Sequence, residues 1–536
     1  MHPRSKAPGL RTSGLAAAAI AVVLAASCSH RDVAQPGAQG PTVSSAIDPP
    51  VAAGLDAVIA AHWRSQGVTA VAAADDLTLL RRATLDLLGR IPTVEELDGF
   101  DADTNGDRYE RAVDRMLALD EHAQHLAATW SEVMLGSAIK VPPRVLLGAR
   151  NYLRERFAAD AGFDVVTTEM LTFSGEVGEE SAAGFLVAHG RRGRVAALAG
   201  ETARVFLAAQ IQCAACHDHP TAPFRQEDFY AFAAHFARTG VKPSRDGEAK
   251  TFEVVDRVRG QQRLPSPEDP PDEFSGAVVA PAYFGTPAQV GDGTRRQSLA
   301  ESITHDRRFA LAIANRTWAQ LLGRGVIDPV DDIGLGTPIP TLLDALADEL
   351  VEHRFALDPL LRTIVLSAAY RRDARGDGDG AARVAAFAQS GVRPLALEPL
   401  LRSLATAGGQ DPGAIERALE KRRGALGALR FAFDDDEGAQ SDDGPSLQQA
   451  LMWLRGDLTN LVARDAPGRA LQVILRHEPS TEGRLDALWW RFYGRRIDPT
   501  ERTLAMAHLR DRSDDAAAYE DLVHALVTSS EFNSNH

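Results

Sequence analysis

The chain has 536 residues, 45% of them hydrophobic and 24% charged, which is typical of a soluble globular protein with roughly two or three domains. Its net charge is −15 at pH 7, and no segment is rich in lysine or arginine. Because nucleic-acid binding requires a basic face, this charge argues against a nucleic-acid partner.

Residues 1–27 have the pattern of a bacterial lipoprotein signal peptide. A basic start precedes an apolar run at residues 15–26, which is too short to span a bilayer as a helix. Small residues then lead to Cys28, the expected site of lipidation; the alternative is an ordinary secretory signal with an incidental cysteine. No other segment has the roughly 18 apolar residues of a membrane span. We therefore expect an exported protein, held to the membrane of the cell envelope by a lipid on Cys28 and facing the periplasm or the cell surface.

Residues 28–50 are rich in proline, glycine, serine and alanine and lack apolar periodicity, which predicts a flexible tether. From residue 51 onwards, apolar residues recur at spacings of three and four, as on one face of a helix. A helix over residues 77–88 is expected to end near Gly89, and Thr93 with Glu96 has the spacing of a capping box that starts the next helix. Further helices are predicted over residues 109–119 and 122–135.

A Cys-x-x-Cys-His pattern, formed by Cys213, Cys216 and His217, is the attachment motif of c-type haem. Two thiols on one helical turn each bond to a haem vinyl group, and the imidazole that follows becomes the proximal iron ligand. An exported protein also reaches the oxidising compartment in which this haem is attached. The pattern therefore predicts haem c at these three residues.

Three other interpretations of this pattern stay open. The two cysteines form a disulfide; or they bind zinc or a similar metal with one or both of His217 and His219; or they act as a catalytic dithiol, although no βαβ pattern surrounds them. Asp218 either orients an imidazole or caps the segment that follows. For a haem, the candidates for the sixth iron ligand are His219, Met134, Met170, His189 and His235.

Residues 241–294 contain many prolines, glycines and charged residues, which predicts a small β-containing connector. Helical periodicity returns at residues 295–536, beginning with a helix at residues 295–305. The sequence therefore predicts a mainly α fold, in which a first helical domain (residues 51–240) and a second (residues 295–536) are joined by the connector. Strand-like pieces of the connector lie at residues 251–255 and 277–280.

A dense group of polar residues lies early in the second predicted domain. It includes Asn315, Arg316, Trp318, Asp331 and Asp332. Asn315 and Arg316 follow apolar residues of a predicted helix, and Trp318 continues the apolar face of that helix. One interpretation is a buried polar network that sets helix packing, and the other is a ligand site.

Two ordered sets of motifs give the chain a resemblance to a known pair of families. The first set is Arg81-Arg82-x-x-Leu85-Asp86-Leu87-x-Gly89-x-x-Pro92-Thr93, followed by the Cys-x-x-Cys-His motif. It resembles the domain of unknown function 1549, a cytochrome-like domain common in planctomycetes. The second set is Asn315-Arg316-x-Trp318-x-x-Leu321-x-Gly323-Arg324-Gly325, which resembles the companion domain of unknown function 1553. The resemblance implies this architecture and a haem at the cysteine motif, and it assigns no enzymatic activity.

An exported haem protein of this kind is expected to transfer electrons or to sense redox state, with a redox or envelope protein as its partner. The alternative is a non-haem binding or scaffold protein of the envelope, in which the Cys/His cluster is a structural metal site or a disulfide. Common hydrolase and nucleotide-binding motifs are missing from the sequence. Because carboxylate pairs leave no reliable trace in a sequence, a polysaccharide-acting enzyme is a third hypothesis.

Overall fold

The computed structural model describes the chain from Ala53 to His536 with internal gaps. The gaps are residues 137–141, 192–194, 221–223, 247–248, 267–273, 291–292, 377, 379, 416, 418–459, 465, 511 and 513–514. The predicted signal peptide, the lipid-anchor residue Cys28 and the predicted tether lie outside the described residues. Within that part of the chain, no helix combines the length and the apolar composition needed to cross a membrane.

α-Helices dominate the part of the chain that precedes residue 240. They are α1 (Ala53–Gln66), α2 (Asp76–Leu88), α3 (Val94–Ala102), α4 (Arg108–Leu117), α5 (Asp120–Leu135), α6 (Pro143–Ala158), α7 (Phe163–Thr172), α8 (Gly184–Gly190), α9 (Val195–Leu207) and α10 (Gln226–Ala233). The helices predicted over residues 77–88, 109–119 and 122–135 are confirmed as α2, α4 and α5, with ends shifted by at most two residues.

Local chemistry sets the ends of α2 and α3. Asp75 caps α2 by accepting two N–H groups of its first turn, and Gly89 ends the helix in the left-handed conformation at φ 67°. The capping box predicted for α3 is confirmed: Thr93 Oγ1 accepts the Glu96 N–H at 3.2 Å, and Glu96 Oε2 accepts the Thr93 N–H at 2.8 Å.

Short antiparallel strands lie mainly between residues 239 and 287. They are β1 (Gly175–Glu176), β2 (Thr239–Asp246), β3 (Ala249–Asp256), β4 (Gln262–Arg263), β5 (Val278–Val279), β6 (Ala282–Tyr283) and β7 (Thr286–Pro287). One sheet has the order β1-β3-β2, with Val241 opposite Val254, and β4-β5 and β6-β7 form two-stranded pairs. The strand-like pieces predicted at residues 251–255 and 277–280 are confirmed within β3 and at β5.

Helices return at Arg295, as predicted, because Thr294 and Gln297 form a capping box there. They are α11 (Arg295–His305), α12 (Arg307–Leu322), α13 (Thr341–Glu352), α14 (Leu357–Leu366), α15 (Gly380–Ala385), α16 (Leu397–Ala407), α17 (Asn460–Ala463), α18 (Ala470–His477), α19 (Thr481–Tyr493), α20 (Pro499–His508), α21 (Ala516–Thr528) and α22 (Ser530–Asn533). β8 (Arg393–Pro394) pairs with β9 (Ser534–Asn535). The fold is therefore mainly α, as the sequence predicts.

Buried apolar side chains form two clusters. The larger contains Trp130 of α5, Phe163 of α7 and Trp318 of α12, and so draws on helices from both sides of the strand-containing region. The smaller is built by side chains between residues 395 and 532 together with Leu85 and Ile91. Helix pairs α7–α11 and α9–α12 are in direct contact. Because α9 immediately precedes the cysteine motif, its packing on α12 brings residues beyond 295 close to that motif.

Candidate functional site

Cys213 lies in the 3-10 helix Gln212–Ala215, and Cys216 is the residue that caps the end of this helix. The Cys216 N–H donates to Cys213 O at 3.3 Å. A turn closed in this way keeps its first and fourth Cα atoms within about 7 Å of each other. Both cysteine side chains are exposed, and neither is in a disulfide. The surface therefore presents two free thiols on a single turn, which is the arrangement expected from the motif.

The exposed imidazole of His217 makes one hydrogen bond that defines its tautomer. Its Nδ1 lies 2.8 Å from Asp218 O. Because a carbonyl oxygen only accepts hydrogen bonds, Nδ1 carries the proton in this arrangement. In the neutral ring, Nε2 is then the nitrogen with the lone pair, and this is the form of imidazole that binds a metal ion. His217 thus has the tautomer that an iron ligand requires.

Asp218 and His219 attach the end of the motif to the chain that follows it. Asp218 Oδ1 accepts the Gln226 N–H at 2.9 Å, so Asp218 caps the start of α10. Asp218 was predicted either to orient an imidazole or to cap the segment that follows, and this contact corresponds to capping. The His219 N–H donates to Phe224 O at 2.8 Å, and the His219 side chain is half-buried. These bonds fold the chain back after His217 and keep His219 close to the motif.

Helix α10 also holds the turn through the carbonyl of Ala215. The Tyr230 hydroxyl donates to Ala215 O at 2.9 Å, and Gln226 Nε2 donates to the same oxygen at 3.2 Å. Sequence analysis did not select either of them as a site residue. Their spacing of four, which places them on one face of a helix directly after the motif, is the signal that could have found them.

The polar group predicted in the second region is mostly buried. Its buried members are Asn315, Arg316, Trp318 and Asp331, whereas Asp332 is exposed. The Asn315 side chain donates to Ile327 O at 2.7 Å and accepts the Ile327 N–H at 3.2 Å. The Trp318 indole meets the Phe387 ring edge-on, with 5.1 Å between centroids. These contacts are those of a buried polar network that fixes helix packing.

Two members of this group contact the chain that leads into the motif. Arg316 donates to Val205 O at 2.9 Å, near the end of α9, and Asp331 Oδ1 accepts a hydrogen bond from Gln210 Nε2 at 3.0 Å. The structure thus joins the two sets of residues selected from the sequence. Sequence analysis did not predict this connection, because the partners are 111 and 121 residues apart.

The other side chains considered as iron ligands already pack in surroundings of their own, and all of them except the half-buried His189 are buried. Met134 and Met170 belong to the larger hydrophobic cluster. His189 Nε2 lies 2.8 Å from Met134 O, and His235 Nδ1 lies 2.9 Å from Phe232 O. His235 Nε2 is buried and has no hydrogen-bond partner among the described residues. Packing accounts for the positions of these four side chains.

Burial lowers the pKa of His235 from its ordinary value of 6.5 to about 4. The unfolded chain takes up a proton at this imidazole below pH 6.5, whereas the folded protein does so only near pH 4. Because the unfolded state binds more protons in this window, His235 should cost about 3 kcal/mol of stability as the pH falls from 6.5 to 4. Urea unfolding of the wild type and of His235→Gln at both pH values measures this contribution.

The matched control for this prediction is His305→Gln, which changes an exposed histidine. It should leave the pH dependence of stability unchanged, while His235→Gln should flatten it. Equal pH dependence in the wild type and in His235→Gln would show that His235 does not contribute to acid sensitivity.

Among the described residues, there is no group of three or more His, Cys, Asp or Glu side chains that could hold a metal ion. A structural zinc site needs four ligands arranged around the ion. A c-type haem makes a smaller demand on the chain, because it needs two thiols on one turn and an imidazole beside them. Cys213, Cys216 and His217 supply the two thiols on one turn and the adjacent imidazole that haem attachment requires.

Comparison with protein-family models gives two matches. Residues 54–240 match PSCyt2, a protein of unknown function (DUF1549), and residues 295–417 match PSD1, a protein of unknown function (DUF1553). Comparison with curated proteins and with solved structures gives no match. The cysteine motif lies in the first matched range, and Arg316 and Asp331 lie in the second. Residues 54–240 therefore belong to the PSCyt2 (DUF1549) family, and residues 295–417 belong to the PSD1 (DUF1553) family.

Proposed function

We propose that this protein carries one c-type haem, attached through Cys213 and Cys216 with His217 as the proximal ligand, and that it transfers electrons or senses redox state. The observation that carries the proposal is a surface turn on which two free thiols are followed by an imidazole with an Nε2 lone pair. The family name PSCyt2 supports a cytochrome.

The residues of the motif suit covalent attachment. Attachment converts both thiols into thioethers, so it requires cysteines that are free and exposed. The hydrogen bond from His217 Nδ1 to Asp218 O fixes the orientation of the ring. When bound, the haem supplies one-electron iron chemistry that protein side chains lack.

The bonds from α10 would hold the site in one arrangement. Tyr230 and Gln226 fix the carbonyl of Ala215, which lies between the two cysteines, and Asp218 fixes the chain after His217. A site whose supporting groups are already in place does not need to rearrange when a ligand binds or reacts. Tyr230 and Gln226 are therefore proposed as supports of the haem site.

The cell envelope is the proposed location. Its support is the lipoprotein-like pattern of residues 1–27 with Cys28 as the lipidated residue. A lipid anchor at Cys28 would keep the haem-carrying region near the membrane. Redox or envelope proteins at that membrane are the proposed partners.

One observation favours a second candidate function. The turn closed between Cys213 and Cys216 keeps their Cα atoms at a separation compatible with a disulfide, which accepts about 4.4 to 6.8 Å. In an oxidising compartment, a chain that receives no haem would form this disulfide. The protein would then be a non-haem binding or scaffold protein of the envelope, with the disulfide as a structural link.

The mass of the purified chain separates these two candidates. Produced in a bacterial host with haem-maturation machinery, the wild type is expected to carry the added mass of one haem, and Cys213→Ser/Cys216→Ser is expected to lose it. His217→Ala should also lose it, whereas the matched variant His219→Ala should keep it. A wild-type chain with the mass of the bare polypeptide, or lacking only two hydrogens, would contradict the haem proposal.

A further inference from the structure

The segment that joins α9 to Cys213 is anchored by side-chain and main-chain groups of residues 308–333. At the end of α9, the Arg316 guanidinium donates to Arg204 O at 2.7 Å and to Val205 O at 2.9 Å. These carbonyls lie in the last turn of the helix, where intrahelical N–H donors run out. Arg316 is only 1% exposed, so its two bonds are shielded from water.

Ala208 is the next anchored position. Its φ of 44° lies in the left-handed region, which residues with a Cβ rarely adopt. Its carbonyl accepts the Ile333 N–H at 2.8 Å and a hydrogen bond from Arg308 Nη2 at 3.1 Å. Because a backbone of this kind persists only where its surroundings hold it, these two bonds stabilise the corner that directs the chain towards the motif.

The last anchor is the bond between Gln210 and Asp331. Gln210 Nε2 donates to Asp331 Oδ1 at 3.0 Å. Asp331 is 4% exposed, and its Oδ2 atom lies 3.9 Å from Arg204 Nη1. The residue after Gln210 is Ile211, whose carbonyl accepts the first hydrogen bond of the cysteine turn, from Ala214 at 3.0 Å. The anchored stretch therefore ends directly where the turn that carries the thiols begins.

We propose that Asp331, together with Arg316 and Arg308, positions the Cys-x-x-Cys pair, so that the DUF1553 region sets the geometry of the site that the DUF1549 region carries. These are positioning residues, because they act on the thiols through residues 204–211. The inference rests on the proposed function only in taking this cysteine pair as the functional site.

The tendency of the two thiols to form a disulfide measures their positioning without any haem. In the reaction with glutathione disulfide, the protein loses two protons and two electrons as its S–S bond forms, and one glutathione disulfide gains them to become two glutathione thiols. A held turn gives the thiols a high effective concentration. Releasing the segment spreads them over more arrangements, so the equilibrium constant for disulfide formation falls.

The test uses the full chain, produced in a host without haem-maturation machinery and equilibrated in glutathione buffers. The disulfide fraction is read by mass spectrometry after alkylation. Gln210→Ala and Asp331→Ala are each expected to lower the equilibrium constant roughly 3- to 10-fold, the range for the loss of one ordinary hydrogen bond. The equilibrium constant of the double variant should be no lower than that of Asp331→Ala, because both substitutions remove the same hydrogen bond between Gln210 and Asp331.

Two further variants control for effects other than positioning. Asp331→Asn keeps the Oδ1 acceptor for Gln210 and is expected to restore most of the wild-type constant. Asp332→Ala changes the exposed acidic neighbour and is expected to leave the constant unchanged.

Constants within about twofold of the wild type for both Gln210→Ala and Asp331→Ala would overturn the proposal. Because Gln210 is exposed, Gln210→Ala is expected to fold, and a thermal melt checks this. If Asp331→Ala does not fold, the result for Gln210→Ala decides the test. Because the assay contains no haem, its failure would not touch the haem proposal, and a chain that never binds haem still gives a result.

Discussion

Replacing Arg316 with methionine is expected to lower the free energy of unfolding by about 3 kcal/mol. Methionine keeps an apolar stem but removes the donors to Arg204 O and Val205 O. A carbonyl left unpaired inside a protein costs about 1–3 kcal/mol, and this substitution creates two of them. Urea-induced unfolding followed by far-UV circular dichroism measures the change.

Arg307→Met is the matched control for Arg316→Met, because Arg307 also lies on α12. Its guanidinium forms a surface ion pair with Asp344 at 2.6 Å. Exposed ion pairs contribute less than about 1 kcal/mol, so this variant should retain most of its stability. Equal losses in the two variants would contradict the structural role assigned to Arg316.

A loss of about 3–5 kcal/mol is expected from Asp256→Ala. Its partner Arg296 is 0% exposed, and both Asp256 oxygens accept hydrogen bonds from the guanidinium, one of them from Nε at 3.0 Å. Arg296 Nη1 also donates to Leu171 O at 2.7 Å and to Phe173 O at 2.8 Å. Removing the carboxylate leaves a buried positive charge without a counter-ion, which costs far more than the pair itself contributes.

Two comparisons test that explanation of Asp256→Ala by urea unfolding. Asp344→Ala removes the carboxylate of a surface ion pair and should cost less than about 1 kcal/mol. Asp256→Glu keeps a carboxylate beside the guanidinium and should lose less stability than Asp256→Ala, because the buried charge of Arg296 keeps a counter-ion. A loss below about 1 kcal/mol in Asp256→Ala would rule out a charge-burial penalty at Arg296.

The position of Arg296 also bears on how the molecule unfolds. This residue of α11 contacts the end of α7 and the last residue of β3. One guanidinium therefore connects the region predicted as the first domain, the predicted connector and the region predicted as the second domain. Asp256→Ala should accordingly lower the midpoint of unfolding for probes on both sides of the strands.

Features that depend on near neighbours in the chain could be predicted from the sequence. The capping box of Thr93 and Glu96 is an example, because the two residues that form it are three apart. The start of α11 at Arg295 and the strand around residues 251–255 are others. In each case the hydrogen bonds or the alternation of side chains lie within a few residues.

Contacts between distant parts of the chain could not be predicted in this way. Arg316 bonds to a carbonyl 111 residues away, and Arg296 bonds to one 125 residues away. A buried arginine that binds main-chain carbonyls leaves no partner side chain to recognise in a sequence. For this reason the polar group around Arg316 could be noticed, while its connection to the cysteine motif could not.

The candidate site shows the same division. Cys213, Cys216 and His217 could be selected because haem attachment imposes a fixed spacing on them. The supports of the turn, Tyr230 and Gln226, act on a main-chain carbonyl, which any residue could supply. Their role in holding the turn therefore followed only from the structure.

The most direct test of haem attachment at Cys213 and Cys216 is the reduced-minus-oxidised visible spectrum of the wild-type protein, purified from a host with haem-maturation machinery. We predict the sharp α-band of a c-type haem, and we predict its loss in Cys213→Ala/Cys216→Ala. A colourless wild-type protein from a host with the complete machinery would contradict haem attachment and would leave the disulfide-linked envelope protein as the function to pursue.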